Sequence, residues 1–175
     1  MQLVNETRIP NAVLRPLLAA AARKVGAKTS GVLVRVKWGW KRSNASEDTY
    51  SWTLGSKRKV TYKMIEGRRR PAHVRYTKGR TYIDLRGHME MVLNRGMDAL
   101  HLAEWFWEVA VHEWHHIAWG QQGRRYDSHD IPYQDRIHEA EAYACQEEAA
   151  RNVPAKVQDM ILALAEAREN LKGSR

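Results

Sequence analysis

The chain has 175 residues, 43% of them hydrophobic, with 29 Lys and Arg against 20 Asp and Glu and a single cysteine. That length allows one domain with a real core. No apolar run approaches the ~18 residues of a membrane helix, and the lone Cys145 excludes an internal disulfide or a C-x-x-C metal ribbon.

The N-terminus, Met1-Gln2-Leu3-Val4-Asn5-Glu6-Thr7-Arg8, has no basic stretch followed by an apolar one, so a secretory signal is not expected and the cytoplasm is the default compartment. The first predicted element is a helix over 11–25. Leu14, Leu17, Leu18, Ala21 and Val25 share one face, Pro16 falls in or near the first turn, and Gly26 stops it. Val32, Val34, Val36, Trp38 and Trp40 then alternate with Leu33, Arg35, Lys37 and Gly39, a strand pattern. Beyond a polar loop at 42–48, Tyr50, Trp52 and Leu54 alternate again. Gly55-Ser56 begins a turn, and Val60, Tyr62 and Met64 form the return strand. Past a basic loop at 66–71, residues 72–76 and 81–86 read as two more strands joined across Thr77-Lys78-Gly79-Arg80. An antiparallel sheet is expected from this series.

Charge divides the chain. Residues 1–100 hold 21 Lys and Arg and 7 Asp and Glu, whereas residues 101–175 hold 8 and 13. Lys57-Arg58-Lys59 and Arg68-Arg69-Arg70 are the densest basic runs, interleaved with Trp38, Trp40, Tyr50, Trp52, Tyr62 and Tyr76. Basic groups among aromatics can hold a nucleic-acid backbone and stack its bases. An acidic protein partner accounts for the same charge, and the alternation assigns most of these aromatics to a core face.

Leu102, Trp105, Phe106, Val109 and Ala110 recur at helical spacing, and Ile117 and Ala118 continue the apolar character. They predict a long half-buried helix over about 100–119, ended by Gly120 and Gly123. Inside it lies His112-Glu113-Trp114-His115-His116, the H-E-x-x-H pattern. Residues four apart share a helix face, so His112 and His116 can aim ring nitrogens at one Zn²⁺. Glu113, beside the first ligand, is placed to act as general base toward a metal-activated water, the chemistry of peptide-bond hydrolysis. His115 lies off the ligand face. A plain helix with solvated His and Glu is the competing expectation, and the apolar context argues against it.

A catalytic zinc needs a third protein ligand and an open position. Asp127, His129, Asp130, Asp135, His138, Glu139 and Glu141 all follow the motif. Residues 124–133 read as a polar loop, and a second helix spans about 133–152, where Cys145 sits among alanines as a packing thiol. A closing helix over 154–171 carries Val157, Met160, Ile161, Leu164 and Leu171 on one stripe.

The H-E-x-x-H pair followed by Glu139-Ala140-Glu141-Ala142 on a second helix resembles the gluzincin metallopeptidases, whose third ligand is a Glu on that helix. Glu139 matches the ligand and Ala142 the small residue, while Tyr143 stands where many members carry an Asp that supports the first His. Glu141 is the alternative ligand. The resemblance implies a zinc metalloendopeptidase with His112, His116 and Glu139 on Zn²⁺, Glu113 as base and a peptide or protein substrate. It implies Tyr143, Tyr126, Tyr133 or His129 as oxyanion stabiliser. The metzincin extension fails, because Trp119 and Gln122 stand where Gly and His are required. In a SprT-like arrangement His129, or less favourably His138, would be the third ligand, and the basic half would bind DNA or RNA. The element order looks like an α+β, zincin-like core of the compact ImmA/IrrE-like kind within a single domain: N-terminal helix, antiparallel sheet, motif helix, ligand helix, closing helix. In such cores the strand before the motif helix borders the cleft, so residues 81–86 are expected to offer a free edge to substrate.

Overall fold

A computed structural model of the protein describes the backbone of residues 1–37, 49–54, 58–63, 72–77, 80–85, 99–127 and 130–172; between residues 37 and 98 no side chain is described. Trp38, Trp40, Lys57, Arg68–Arg70 and His129 fall outside the described residues, as do the side chains of Tyr50, Trp52, Arg58, Lys59, Tyr62 and Tyr76. The elements are β1 (Gln2–Glu6), α1 (Asn11–Lys24), β2 (Val32–Lys37), β3 (Thr49–Leu54), β4 (Arg58–Lys63), β5 (Ala72–Thr77), β6 (Arg80–Leu85) and α2 (Ala99–Gln121). A 3₁₀ turn (Tyr133–Asp135), α3 (Ile137–Arg151) and α4 (Ala155–Lys172) complete them. The plan is α+β, and all four helices lie close to their expected bounds.

The expected antiparallel sheet is corrected. Four strands lie in the order β1-β2-β6-β5, with β1, β2 and β6 parallel and only β5 running antiparallel to β6. Strands β3 and β4 form a separate antiparallel hairpin. A period of two assigns side chains to faces but is the same for both strand directions. Direction comes from the connections: α1 returns the chain so that β2 starts beside β1, a β-α-β crossover, with Gln2 opposite Leu33 and Glu6 opposite Lys37. Strand β1 has no counterpart among the expected elements, because Gln2-Leu3-Val4-Asn5-Glu6 is too short and polar to signal a strand.

The faces follow the alternation, with Val32, Val34 and Val36 all buried in the core. The expectation of a free edge at residues 81–86 is also corrected. Strand β6 is interior, with Val34 and Val74 both opposite Ile83 from its two sides. Among the described strands the outer positions belong to β1 and β5.

Helix α2 is the centre of the helical layer and touches α1, α3, α4, β5 and β6. A helix apolar on nearly all sides must be surrounded, and Leu102, Phe106, Trp107, Val111, Trp114 and Ile117 are all buried. The Trp107 indole N–H donates to the Ala149 carbonyl at 3.2 Å, tying α2 to α3. The Gln121 side-chain amide both accepts from the Lys28 N–H and donates to its carbonyl, each at 2.8 Å. That clamp fastens the end of α2 to the connection between α1 and β2. Pro16 sits in the second turn of α1, one turn later than expected, where the helix forgoes one backbone hydrogen bond.

Helix α2 ends in a Schellman motif. The Gly123 N–H donates to the Gly120 carbonyl at 3.0 Å and the Arg124 N–H to Trp119 at 3.3 Å, with Gly123 at φ +72°. A Cβ there would meet nothing within 4 Å, so a side chain is opposed by backbone conformation alone. Gly123→Ala should therefore destabilise the fold by about 1–2 kcal/mol, read as a lower denaturation midpoint in urea with an unchanged slope.

Candidate metal centre

Helical spacing puts His112 and His116 one turn apart on α2, facing α3. Ala142 on α3, fully buried, lets the two helices approach closely enough for side chains to meet between them. Glu139 lies one turn before Ala142 on the same face of α3. The structure brings these three residues together: His112 Nε2 and His116 Nε2 are 3.2 Å apart, and each lies 3.4 Å from Glu139 Oε2. All three are buried, with 6%, 6% and 8% of their surfaces exposed.

Three polar atoms thus converge on one point, where either protons on the imidazoles or a cation between them relieves their mutual repulsion. A four-coordinate ion with bonds of ~2.0–2.1 Å separates its ligands by about 3.3–3.4 Å, by the geometry of a tetrahedron. The observed triangle has those dimensions. His112, His116 and Glu139 are close enough to hold a metal ion, and no other such group occurs among the described residues.

The surroundings favour the ionised carboxylate. Burial alone would raise the Glu139 carboxyl, but hydrogen bonding from His112, His116 and Tyr133 outweighs it and holds the group well below the ordinary carboxylate range. Burial, then the Glu139 carboxylate, pushes the Tyr133 hydroxyl far up, so it remains a donor O–H. Glu113 follows His112 in the helix and is itself 5% exposed. Half-buried His115 points elsewhere, with Nε2 3.9 Å from a Glu141 oxygen. Burial first, then neighbouring His116, lowers its imidazole from the ordinary histidine value.

The other residues singled out from the sequence occupy different places. Glu141 faces away from the cluster and takes a two-pronged bond from Arg124, both contacts 2.8 Å. The Tyr126 hydroxyl donates to the His116 carbonyl at 2.5 Å. Tyr133 hydrogen-bonds Glu139 and Tyr143. Tyr143, 45% exposed, sets its ring edge-on to His112 with centroids 4.7 Å apart. Asp127 is absent from the cluster. Its Oδ2 accepts the Ile137 N–H at 2.6 Å and caps α3, whose own N-cap residue, Arg136, makes no side-chain capping bond to the helix. His138 is buried beside Glu139, with its Nε2 3.6 Å from Glu139 Oε1. The capping role of Asp127 and the hydroxyl of Tyr133 on Glu139 carry no motif signal, because each depends on the path of the 122–136 segment.

No family model, curated protein or solved structure matches the chain.

The geometry separates the two glutamates. Glu139→Ala should abolish most metal retention after reconstitution, measured by elemental analysis. Glu141→Ala, which removes only a surface partner of Arg124, should leave metal content near wild type. Equal losses in both variants would mean that the cluster is not the binding site.

Proposed function

We propose that this chain is a zinc-dependent metallopeptidase of gluzincin type, with His112, His116 and Glu139 as ligands and Glu113 as general base. The observation that carries the reading is the triangle of His112 Nε2, His116 Nε2 and Glu139 Oε2, spaced close to three corners of a tetrahedron, with both histidines on the helix that holds a buried Glu beside the first of them. Two imidazoles and a carboxylate suit Zn²⁺, whose catalytic sites take three protein ligands and keep a fourth position open. Zinc, when bound, supplies a Lewis acid for the scissile carbonyl and a water of lowered pKa.

The remaining roles belong to side chains of this chain. Glu113 accepts a proton from the attacking water and returns one to the leaving amine, so the amide nitrogen departs neutral. The apolar body of α2 keeps bulk water from that carboxylate and fixes its rotamer. Among the three candidate tyrosines, Tyr126 and Tyr133 have their hydroxyls on His116 and Glu139. Tyr143, hydrogen-bonded to Tyr133 but exposed and against His112, is our candidate for stabilising a substrate oxyanion. An extended peptide is the substrate class this plan suits. Strand β5, at an outer position of the sheet and in contact with α2, takes over the strand-addition role expected of residues 81–86.

Glu113→Gln keeps size and polarity but removes basicity. Zinc content and melting behaviour should stay near wild type, while cleavage of a mixed peptide library falls by about 10²–10⁴-fold. A fully active Gln variant, or a zinc-loaded wild type that cleaves nothing in the library, would count against the proposal.

A further inference from the structure

The residue immediately before Glu139 is a buried histidine outside the H-E-x-x-H motif. His138 has 5% of its surface exposed. It is enclosed by the rings of Tyr126, His116 and Trp119, at centroid distances of 5.1, 5.7 and 6.1 Å. A buried imidazole is held this tightly only if both ring nitrogens have an assigned task. Nδ1 accepts the Asp127 backbone N–H at 3.1 Å, and Asp127 Oδ2 lies 3.1 Å from the same nitrogen. Of these two contacts only the backbone N–H has a fixed direction, with Nδ1 as acceptor; in the tautomer that satisfies it, Nε2–H faces Glu139 Oε1 at 3.6 Å. That separation is longer than a hydrogen bond, so the ring acts on the carboxylate through its field at close range.

The two oxygens of Glu139 therefore stand in different environments. Oε2 lies 3.4 Å from both His112 Nε2 and His116 Nε2, whereas Oε1 faces the His138 ring. We propose that His138 is the positioning residue of the metal centre: anchored by Asp127, it holds Glu139 Oε1 so that Oε2 alone is presented to the cation. A carboxylate held by one oxygen binds through the other, and one coordination position stays open for water and substrate. Asp127 is also tied to the start of α3 through Ile137. The loop, the first turn of α3 and the ligand thus form one unit. The inference rests on the metal centre proposed above and adds to it a donor that the motif does not contain.

His138→Gln and His138→Met form the test pair. The two side chains are of similar length, but only Gln offers an N–H where Nε2–H stands. Zinc affinity is read by competition with a chromophoric chelator, using Zn²⁺ alone, so no substrate is needed. The Met variant should bind zinc roughly 10–100-fold more weakly, as removal of an outer partner of a ligand typically does, and the Gln variant should stay within a few-fold of wild type. Met binding as tightly as wild type, or Gln binding as weakly as Met, overturns the proposal. Imidazole nitrogen NMR of the zinc-loaded wild type is a check that needs no variant. A proton on Nε2 of His138 is expected, and a neutral ring protonated only on Nδ1 refutes it. If wild type itself binds no zinc, the centre fails; if wild type binds and His138→Met binds equally well, only the positioning role fails.

Discussion

Two imidazoles and a carboxylate lie between α2 and α3, out of water and within 3.4 Å of one another. Burying such groups without compensation costs several kcal/mol. Apolar side chains would fill the same space with no such cost, so helix packing alone does not account for them. A cation at their common point would offset that burial, and the three side chains lie close enough to hold one. The surrounding helices are arranged to keep that point fixed. Helix α2 is wrapped by α1, α3, α4 and the sheet, and the Trp107 and Gln121 bonds secure it along its length. His112 and His116 are thus mounted on the most enclosed helix of the described fold, which holds their geometry against α3.

The segment between α2 and α3 is organised to the same end. The Arg124 guanidinium stacks 3.3 Å from the Trp119 ring centroid and forks onto Glu141, and the Trp119 indole N–H donates to the Arg125 carbonyl at 3.0 Å. The Arg136 side chain reaches back to the Ile131 carbonyl at 3.0 Å. An exposed ion pair such as Arg124–Glu141 is screened by solvent and adds little stability. Its importance is directional: stack and fork together define where the chain leaves α2 and how α3 approaches. Tyr126, bonded to the backbone of His116, carries the same register into the cluster.

The helical half of the fold was readable in the sequence because its signals are local. The apolar spacing of Leu102 to Ala118, the stop at Gly123 and the stripe on α4 each lie within one element, and periodicity sees one element at a time. The H-E-x-x-H pair is local too. The third donor was legible only through the resemblance carried by Glu139 and Ala142, with Glu141 equal to Glu139 in charge and reach. What separates them is Arg124, which claims Glu141 across the loop. The sheet was misread for the opposite reason. Strand faces are written in alternation, as Val32, Val34 and Val36 show, but strand direction and neighbour order depend on connections that alternation does not record. The pairing of β1 with β2 and the insertion of β6 between β2 and β5 had no local signal.

The same division of local from distant contacts bears on the order of assembly. Loop closure costs more as the joined segments lie further apart in sequence, and distant pairings form late. Strand β6 finds β2 across the whole stretch from Lys37 to Arg80, whereas His112, His116 and Glu139 lie on two consecutive helices joined by one short segment. The helical hairpin can therefore close before the sheet has found its register. The closed pair of helices reduces the freedom of the unfinished chain and gives β5 and β6 a surface on which to settle. In that order of events the contact that brings His112, His116 and Glu139 together precedes the parallel sheet, whose completion is the slower step.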